Sequence, residues 1–124
     1  MALHTDLPIY RTGVQLLGLA MKVQEQMPRG LKRHLGDKIT AHCMDMLDLM
    51  ALANATQRAE RAAYVTQLMQ HQRATTVLLR VGFDSRAVSP ALWADSVKLL
   101  GSIGAQGGGW LKSAAANSRC CTPT

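Results

Sequence analysis

A chain of 124 residues is long enough for one domain with a single core and too short for two. Its apolar content is 48%, with only two Trp, two Tyr and one Phe, which favours a helical bundle built on Leu, Ala, Met and Val. The net charge of +6 favours a polyanionic partner such as nucleic acid or an anionic membrane surface, although a soluble domain can be equally basic without one.

The start of the chain, MALHTDLPIYRTGVQ, has no basic leader followed by an apolar run, so no secretion signal is expected. No stretch reaches 18 uninterrupted apolar residues, and no membrane span is expected. The cysteines are Cys43, inside a predicted helix, and the adjacent Cys120 and Cys121. An odd number with this spacing makes no disulfide framework, so we expect a cytoplasmic protein with Cys43 as a small core residue.

The first predicted helix begins at Asp6, a good N-cap, and carries Pro8 in its first turn. It ends at about Met27, because Pro28 interrupts the helix. Apolar residues recur along it at helical spacing. They are Ile9, Leu16, Ala20, Val23 and Met27, and a wider stripe adds Val14, Leu17 and Met21.

The second predicted helix covers residues 29–53 and differs in charge between its two halves. Its apolar stripe follows the helical period, which predicts one buried face. The first half is basic, with Arg29, Lys32, Arg33 and Lys38, and the second half is acidic, with Asp45 and Asp48.

The third predicted helix follows Thr56, whose hydroxyl can cap an N-terminus, and ends at Gly82, which suits a left-handed C-terminal cap. The fourth begins at Ser89 and Pro90, a strong start signal, and its apolar period continues toward Trp110. Four amphipathic helices with short joints predict an all-α, up-down-up-down four-helix bundle.

The bundle domain is predicted to span residues 1–113, followed by a flexible polar tail at residues 114–124. Near the end of the fourth helix the stretch GAQGGGWLKS places three consecutive glycines before Trp110. Each costs a helix about 1 kcal/mol relative to alanine. Either the helix frays here, or a neighbouring element packs too closely for a side chain, and the need to bury Trp110 and Leu111 favours close packing.

The sequence contains no constellation of catalytic residues and no phosphate-binding loop. His34 and His42 are eight residues apart on the second helix, about 12 Å along its axis, which is too far for one metal ion. His42 with Asp45 could chelate locally, but a solvated helix face is the expected state of this pair. We therefore expect no catalytic activity, no metal and no cofactor.

Three stretches carry a family resemblance in their order and spacing, namely LPIYRTGVQLL, MPRGLKRHLGDKI and GGWLKS, within residues 7–113. They resemble the four-helix-bundle family of the accessory variability determinant of diversity-generating retroelements, which includes proteins encoded by intervening sequences in bacterial large-subunit ribosomal RNA genes. The resemblance implies a homopentameric barrel with a basic surface and no catalytic site, encoded by a bacterial cell or a phage. It also implies two partners, a reverse transcriptase and nucleic acid. The small pair Gly108 and Gly109 is expected to pack closely against helix one of the same subunit or a helix of the next.

Candidate nucleic-acid-binding residues lie on the second and third helices. Arg73 and Arg80 are seven residues apart, so they project from one face of the third helix, and the resemblance implies an arginine at Arg73. If the two helices are neighbours, Arg73 and Arg80 form one patch with the basic half of the second helix. The residues of that half are Arg29, Lys32, Arg33 and Lys38. Because aromatic residues are too few for base stacking, binding should be directed to the phosphates with little sequence preference.

Three functions stay open at this point. The first is a non-catalytic accessory protein of a retroelement reverse transcriptase. The second is a structural bundle of the ribosomal intervening-sequence type, and the third is a binder of membrane surfaces through a basic helix. The third is weakest, because the first three helices lack bulky aromatic residues on their apolar faces. A reverse transcriptase gene and paired template and variable repeats beside the coding sequence would decide for the first.

Overall fold

A computed structural model describes the backbone of residues 3–120 and the side chains of residues 3–114. Four long helices make up most of this part. They are α1, Pro8–Gln26; α2, which joins Arg29–Leu31, a π-helical turn Lys32–Gly36 and Asp37–Ala55; α3, Arg58–Asp84; and α4, Pro90–Cys120. A short 3-10 turn, His4–Asp6, precedes α1, and the described residues contain no strand. The predicted all-α architecture is confirmed.

Each helix packs against the next, and α1 also packs against α4, which closes a four-helix bundle. Contacts between distant positions show that the neighbours run antiparallel. Gly13 near the start of α1 lies against Met50 near the end of α2. Between α3 and α4, Met69 lies against Gly107 while Gln72, further along α3, donates to the carbonyl of the earlier Leu100. This arrangement is the up-down-up-down order that the short joints predict.

The core consists of apolar residues that recur at helical spacing. The predicted stripe of α1 is confirmed, since Ile9, Leu16, Ala20, Val23 and Met27 are at most 4% exposed. Val14 and Met21, which widen that stripe in the sequence, are 49% and 58% exposed. Cys43 is buried, as expected, and burial raises the pKa of its thiol to about 12. One apolar strip of α1 therefore faces solvent in the single chain.

The second helix begins at Arg29, as predicted, and of the three predicted N-caps, Asp6, Thr56 and Ser89, only Ser89 is confirmed. The Ser89 hydroxyl accepts a hydrogen bond from the Leu92 backbone N–H at 3.2 Å, which makes Ser89 the expected cap of α4. Asp6 instead lies in the 3-10 turn, and Leu7 precedes α1 without a side-chain cap. Thr56 ends α2 instead of starting α3, because its hydroxyl donates back to the Leu52 carbonyl at 3.0 Å.

The prediction that Gly82 forms a left-handed cap is also wrong. No glycine in the described chain has a positive φ, and Arg86 takes the left-handed position, with φ 63°. The Ala87 N–H donates to the Gly82 carbonyl at 2.8 Å and the Arg86 N–H to the Phe83 carbonyl at 3.0 Å, which together form a Schellman motif. Gly82 is small for another reason, since an added Cβ would lie 2.8 Å from a methyl group of Val88.

The glycine run does not interrupt α4, which continues as one helix to Cys120. The predicted domain boundary at residue 113 therefore falls inside a helix, and Ala114 is only 2% exposed. Residues 121–124 of the predicted tail lie outside the described part. Close packing occurs at Gly107, where a Cβ would lie 2.5 Å from the Met69 sulfur. Nothing lies within 4 Å of a Cβ at Gly108 or Gly109, so a helix of the same subunit is not the expected close neighbour of this pair.

Candidate functional site

The basic start of α2 is shaped by a π-helical turn that α1 supports. Gln24 of α1 donates hydrogen bonds to the Lys32 carbonyl, at 3.2 Å, and to the Asp37 carboxylate, and it accepts one from the Thr40 hydroxyl, at 3.1 Å. Gly36 leaves room for this side chain, since a Cβ there would lie 2.6 Å from the Gln24 Cγ. The widened turn is therefore built into the α1–α2 contact.

Four residues at this end of α2 line a surface depression, namely Arg29, Gly30, Arg33 and His34. Both arginines are exposed to solvent, whereas Lys32 is half-buried. Lys38 is exposed one turn further on. The strongest concentration of accessible positive charge in the predicted set thus lies around this depression, where two guanidinium groups are available to an anion.

The two predicted arginines of α3 differ in their surroundings. Arg73 is exposed. Arg80 contacts Asp84 through its Nε, 3.2 Å from both carboxylate oxygens, and its guanidinium lies 5.9 Å from the centre of the Trp93 ring. Arg80 is therefore already engaged in an exposed ion pair and a cation–π contact, and Arg73 is the freer of the two.

The structure does not bring all of the predicted basic residues into one patch. α2 and α3 are neighbours, as the prediction requires. However, α3 contacts α2 through His71, whereas Arg80 leans over Trp93 on the α4 side. The cations of α2 and the arginines of α3 therefore belong to two separate basic regions, with the depression around Arg29 and Arg33 as the denser one.

A second group of polar side chains joins α2 to α3 and was missed by the sequence reasoning. The Nδ1 atoms of His42 and His71 are 2.8 Å apart, and the ring centres are 5.1 Å apart. The His71 Nδ1 lies 4.0 Å from Asp45 Oδ2. His42 and Asp45 were visible as a local pair, but the third member lies 29 residues further along, on another helix.

The environment of this group favours an uncharged His42. Burial lowers the pKa of His42 below its ordinary value, and the neighbouring His71 lowers it further. Asp45 acts in the opposite direction, and Lys38 adds a smaller lowering effect. In the hydrogen bond between the two rings one Nδ1 must donate and the other accept, so one of the two Nδ1 atoms carries a proton and the other does not.

No helix in the described residues is long and apolar enough to cross a bilayer. A scan against protein-family models, a search of curated proteins and a search of solved structures found no match to this chain. The family resemblance therefore stays a prediction.

Proposed function

We propose that the chain is a non-catalytic accessory protein of a diversity-generating retroelement. It binds nucleic acid and the reverse transcriptase, and thereby supports mutagenic copying of a template region. The proposal combines the resemblance over residues 7–113 with a four-helix bundle that carries a net charge of +6. The coding sequence is expected beside a reverse transcriptase gene in a bacterial or phage genome. The protein itself is expected in the bacterial cytoplasm.

The observation that carries the nucleic-acid part is the state of the exposed cations. Within residues 3–114, the only Lys or Arg paired with a carboxylate is Arg80. Arg29, Arg33 and Arg73 are exposed and hold no such partner. Unpaired guanidinium groups at the surface gain most from phosphates, because binding releases counterions without breaking an internal ion pair. Binding is accordingly expected for DNA and RNA of unrelated sequence.

The protein is further proposed to act as a homo-oligomer, with the pentamer implied by the resemblance. Val14 and Met21 leave an apolar strip open on α1, and Val97 of α4 is 46% exposed. Burying such residues between subunits removes apolar surface from water. Five subunits would carry 5 × 6 = +30 charges, a strong field for nucleic acid. Light scattering should give a mass several times the 13.4 kDa of one chain, and a monomer at micromolar concentration would contradict this part.

A salt titration of nucleic-acid affinity tests the binding surface. The double variant Arg29→Ala/Arg33→Ala should bind more weakly, and each lost phosphate contact should lower the log–log salt slope by about 0.7 to 0.9. Arg73→Ala should act in the same direction, and Arg80→Ala less. The control is Arg11→Ala/Lys112→Ala, which removes the same charge at exposed positions of α1 and α4.

The outcomes distinguish nucleic-acid binding at the proposed surface from attraction by the net charge of the whole chain. Equal losses in the control and in the α2 double variant would mean that net charge alone attracts nucleic acid. Unchanged affinity and slope in both the α2 double variant and Arg73→Ala would refute the proposed surface. In a reaction with the reverse transcriptase of the same element, the triple variant Arg29→Ala/Arg33→Ala/Arg73→Ala should stay oligomeric but no longer support copying. Full support would contradict the accessory function.

A further inference from the structure

The group formed by His42, Asp45 and His71 has the composition of a metal site. Each residue offers one ligand atom, and these three atoms lie within 4.8 Å of one another. Two of the ligands come from one face of α2, three residues apart, and the third comes from α3. A local pair completed by a residue from a second element is a common way to hold a metal between helices.

We propose that His42, His71 and Asp45 bind a divalent cation of the zinc class at the α2–α3 contact. Two imidazole nitrogens and one carboxylate oxygen suit zinc, cobalt or nickel, whereas magnesium and calcium prefer sites made wholly of oxygen ligands. Three protein ligands leave the remaining position of a tetrahedral ion to water or to a ligand from outside.

The required rearrangement is small. Zinc holds its ligands at about 2.0 to 2.2 Å, which places neighbouring ligand atoms of a tetrahedron roughly 3.3 Å apart. The two Nδ1 atoms, at 2.8 Å, would separate by about half an ångström, and Asp45 Oδ2, 4.0 Å from the His71 Nδ1, would approach by slightly more. The remaining pair, His42 and Asp45, is at most 4.8 Å apart and would approach by at most about 1.5 Å. Both neighbours of His42 can turn, because the side chains of His71 and Asp45 are 29% and 56% exposed.

One nearby charge opposes the ion and supplies a diagnostic variant. Lys38 lies one helical turn before His42 and acts electrostatically on its ring. A cation bound between the histidines is repelled by this ammonium group. Lys38→Ala should therefore tighten metal binding, an effect that a purely structural pair of histidines would not produce.

The test uses tag-free full-length chain with Cys120→Ser and Cys121→Ser, because the two adjacent thiols could bind zinc by themselves. Calorimetry with Zn²⁺ and the visible absorption of Co²⁺ measure stoichiometry and geometry. One ion per chain is expected, with no comparable heat from Mg²⁺. His42→Ala, His71→Ala and Asp45→Asn should each weaken binding by at least about tenfold.

His34→Ala is the matched control, since His34 is an exposed histidine of the same helix and should leave the affinity unchanged. Circular dichroism verifies folding, and His71→Asn replaces His71→Ala if alanine unfolds the chain. Zn²⁺ should also raise the Tm of the parent but not of His71→Ala. The proposal is wrong if the parent takes up no Zn²⁺ at about 1 mM, a concentration that reveals even weak sites. It is equally wrong if His71→Ala weakens Zn²⁺ binding no more than His34→Ala does.

Discussion

Both the inward and the outward face of α4 carry glycines, but only the inward face has a neighbouring side chain packed against one. On the inward face Leu100 and Ile103 are buried, and Gly107 lies directly against the Met69 sulfur. On the outward face Gly101 and Gly108 have no atom within 4 Å of the place where a Cβ would be. Whether a glycine in a helix indicates a close contact can therefore be decided only when it is known which face of the helix carries it.

The difference also explains how α4 tolerates the glycine run. Glycine weakens a helix by about 1 kcal/mol per residue, and this cost applies to both faces. The inward face offsets it, because burial of a side chain such as Ile103, with 0% exposure, contributes about 1.5 to 3 kcal/mol. Trp110 follows on the same face and packs partly against the core. Helix continuity here depends on tertiary packing more than on propensity.

The largest effect is expected from Ile103→Ala on the inward face. Removing this fully buried side chain should lower the free energy of unfolding by about 2 to 5 kcal/mol, because the removed atoms leave a cavity. Denaturant titration followed by circular dichroism measures the loss. Lys98→Ala is the outward control and should change the free energy of unfolding by less than about 0.5 kcal/mol, because Lys98 is exposed. Similar losses for both variants would show that α4 has no distinct inward face.

Trp110→Ala should cost about 2 kcal/mol, below the 3 to 5 kcal/mol typical of a fully buried tryptophan. The ring is half-buried, and it borders a shallow pocket with Leu7 and Ile9 while the Arg61 guanidinium lies 5.9 Å from its centre. Thermal unfolding provides the measurement, with Arg61→Ala as a separate variant for the cation–π part. An unchanged Tm for Trp110→Ala would mean that the helix frays after the glycines.

Gly107→Leu should lower stability by a smaller amount, about 1 to 2 kcal/mol. Overpacking against Met69 costs about 1 to 3 kcal/mol, and the better helix propensity of leucine offsets up to about 1 kcal/mol. The same substitution in a Met69→Ala background should cost much less, because the clashing side chain is gone. Additive effects of the two substitutions would show that Met69 is not what excludes a side chain at residue 107.

The order and approximate extent of the helices follow from the hydrophobic period and from Pro28 and Pro90, and this part of the fold was predictable. The helix ends were less so. The Thr56 hydroxyl can serve a helix on either side, and it bonds back to α2. Gly82 and the glycines of α4 have helical φ, so their role depends on neighbours that no local pattern reveals.

The candidate sites divide in the same way. Arg29 and Arg33 are visible in the sequence as a basic segment, but the engagement of Arg80 with Trp93 depends on the α3–α4 register. The contact of His71 with His42 depends likewise on the register of α2 against α3. The local spacing of His42 and Asp45 was the only sequence signal for this group, and it supplied two ligands where a metal needs a third.

The smallest effect is expected from a substitution on the outward face, and it should increase stability instead of lowering it. Gly108→Ala should raise the free energy of unfolding by about 0.5 to 1 kcal/mol, since alanine favours the helix and meets no atom within 4 Å. Denaturation at several protein concentrations measures the change. A loss of stability, accompanied by a lower mass in light scattering, would instead show that a helix of another subunit packs against Gly108. The outward face would then resemble the inward one in the assembled protein, and its glycines would serve contacts between subunits.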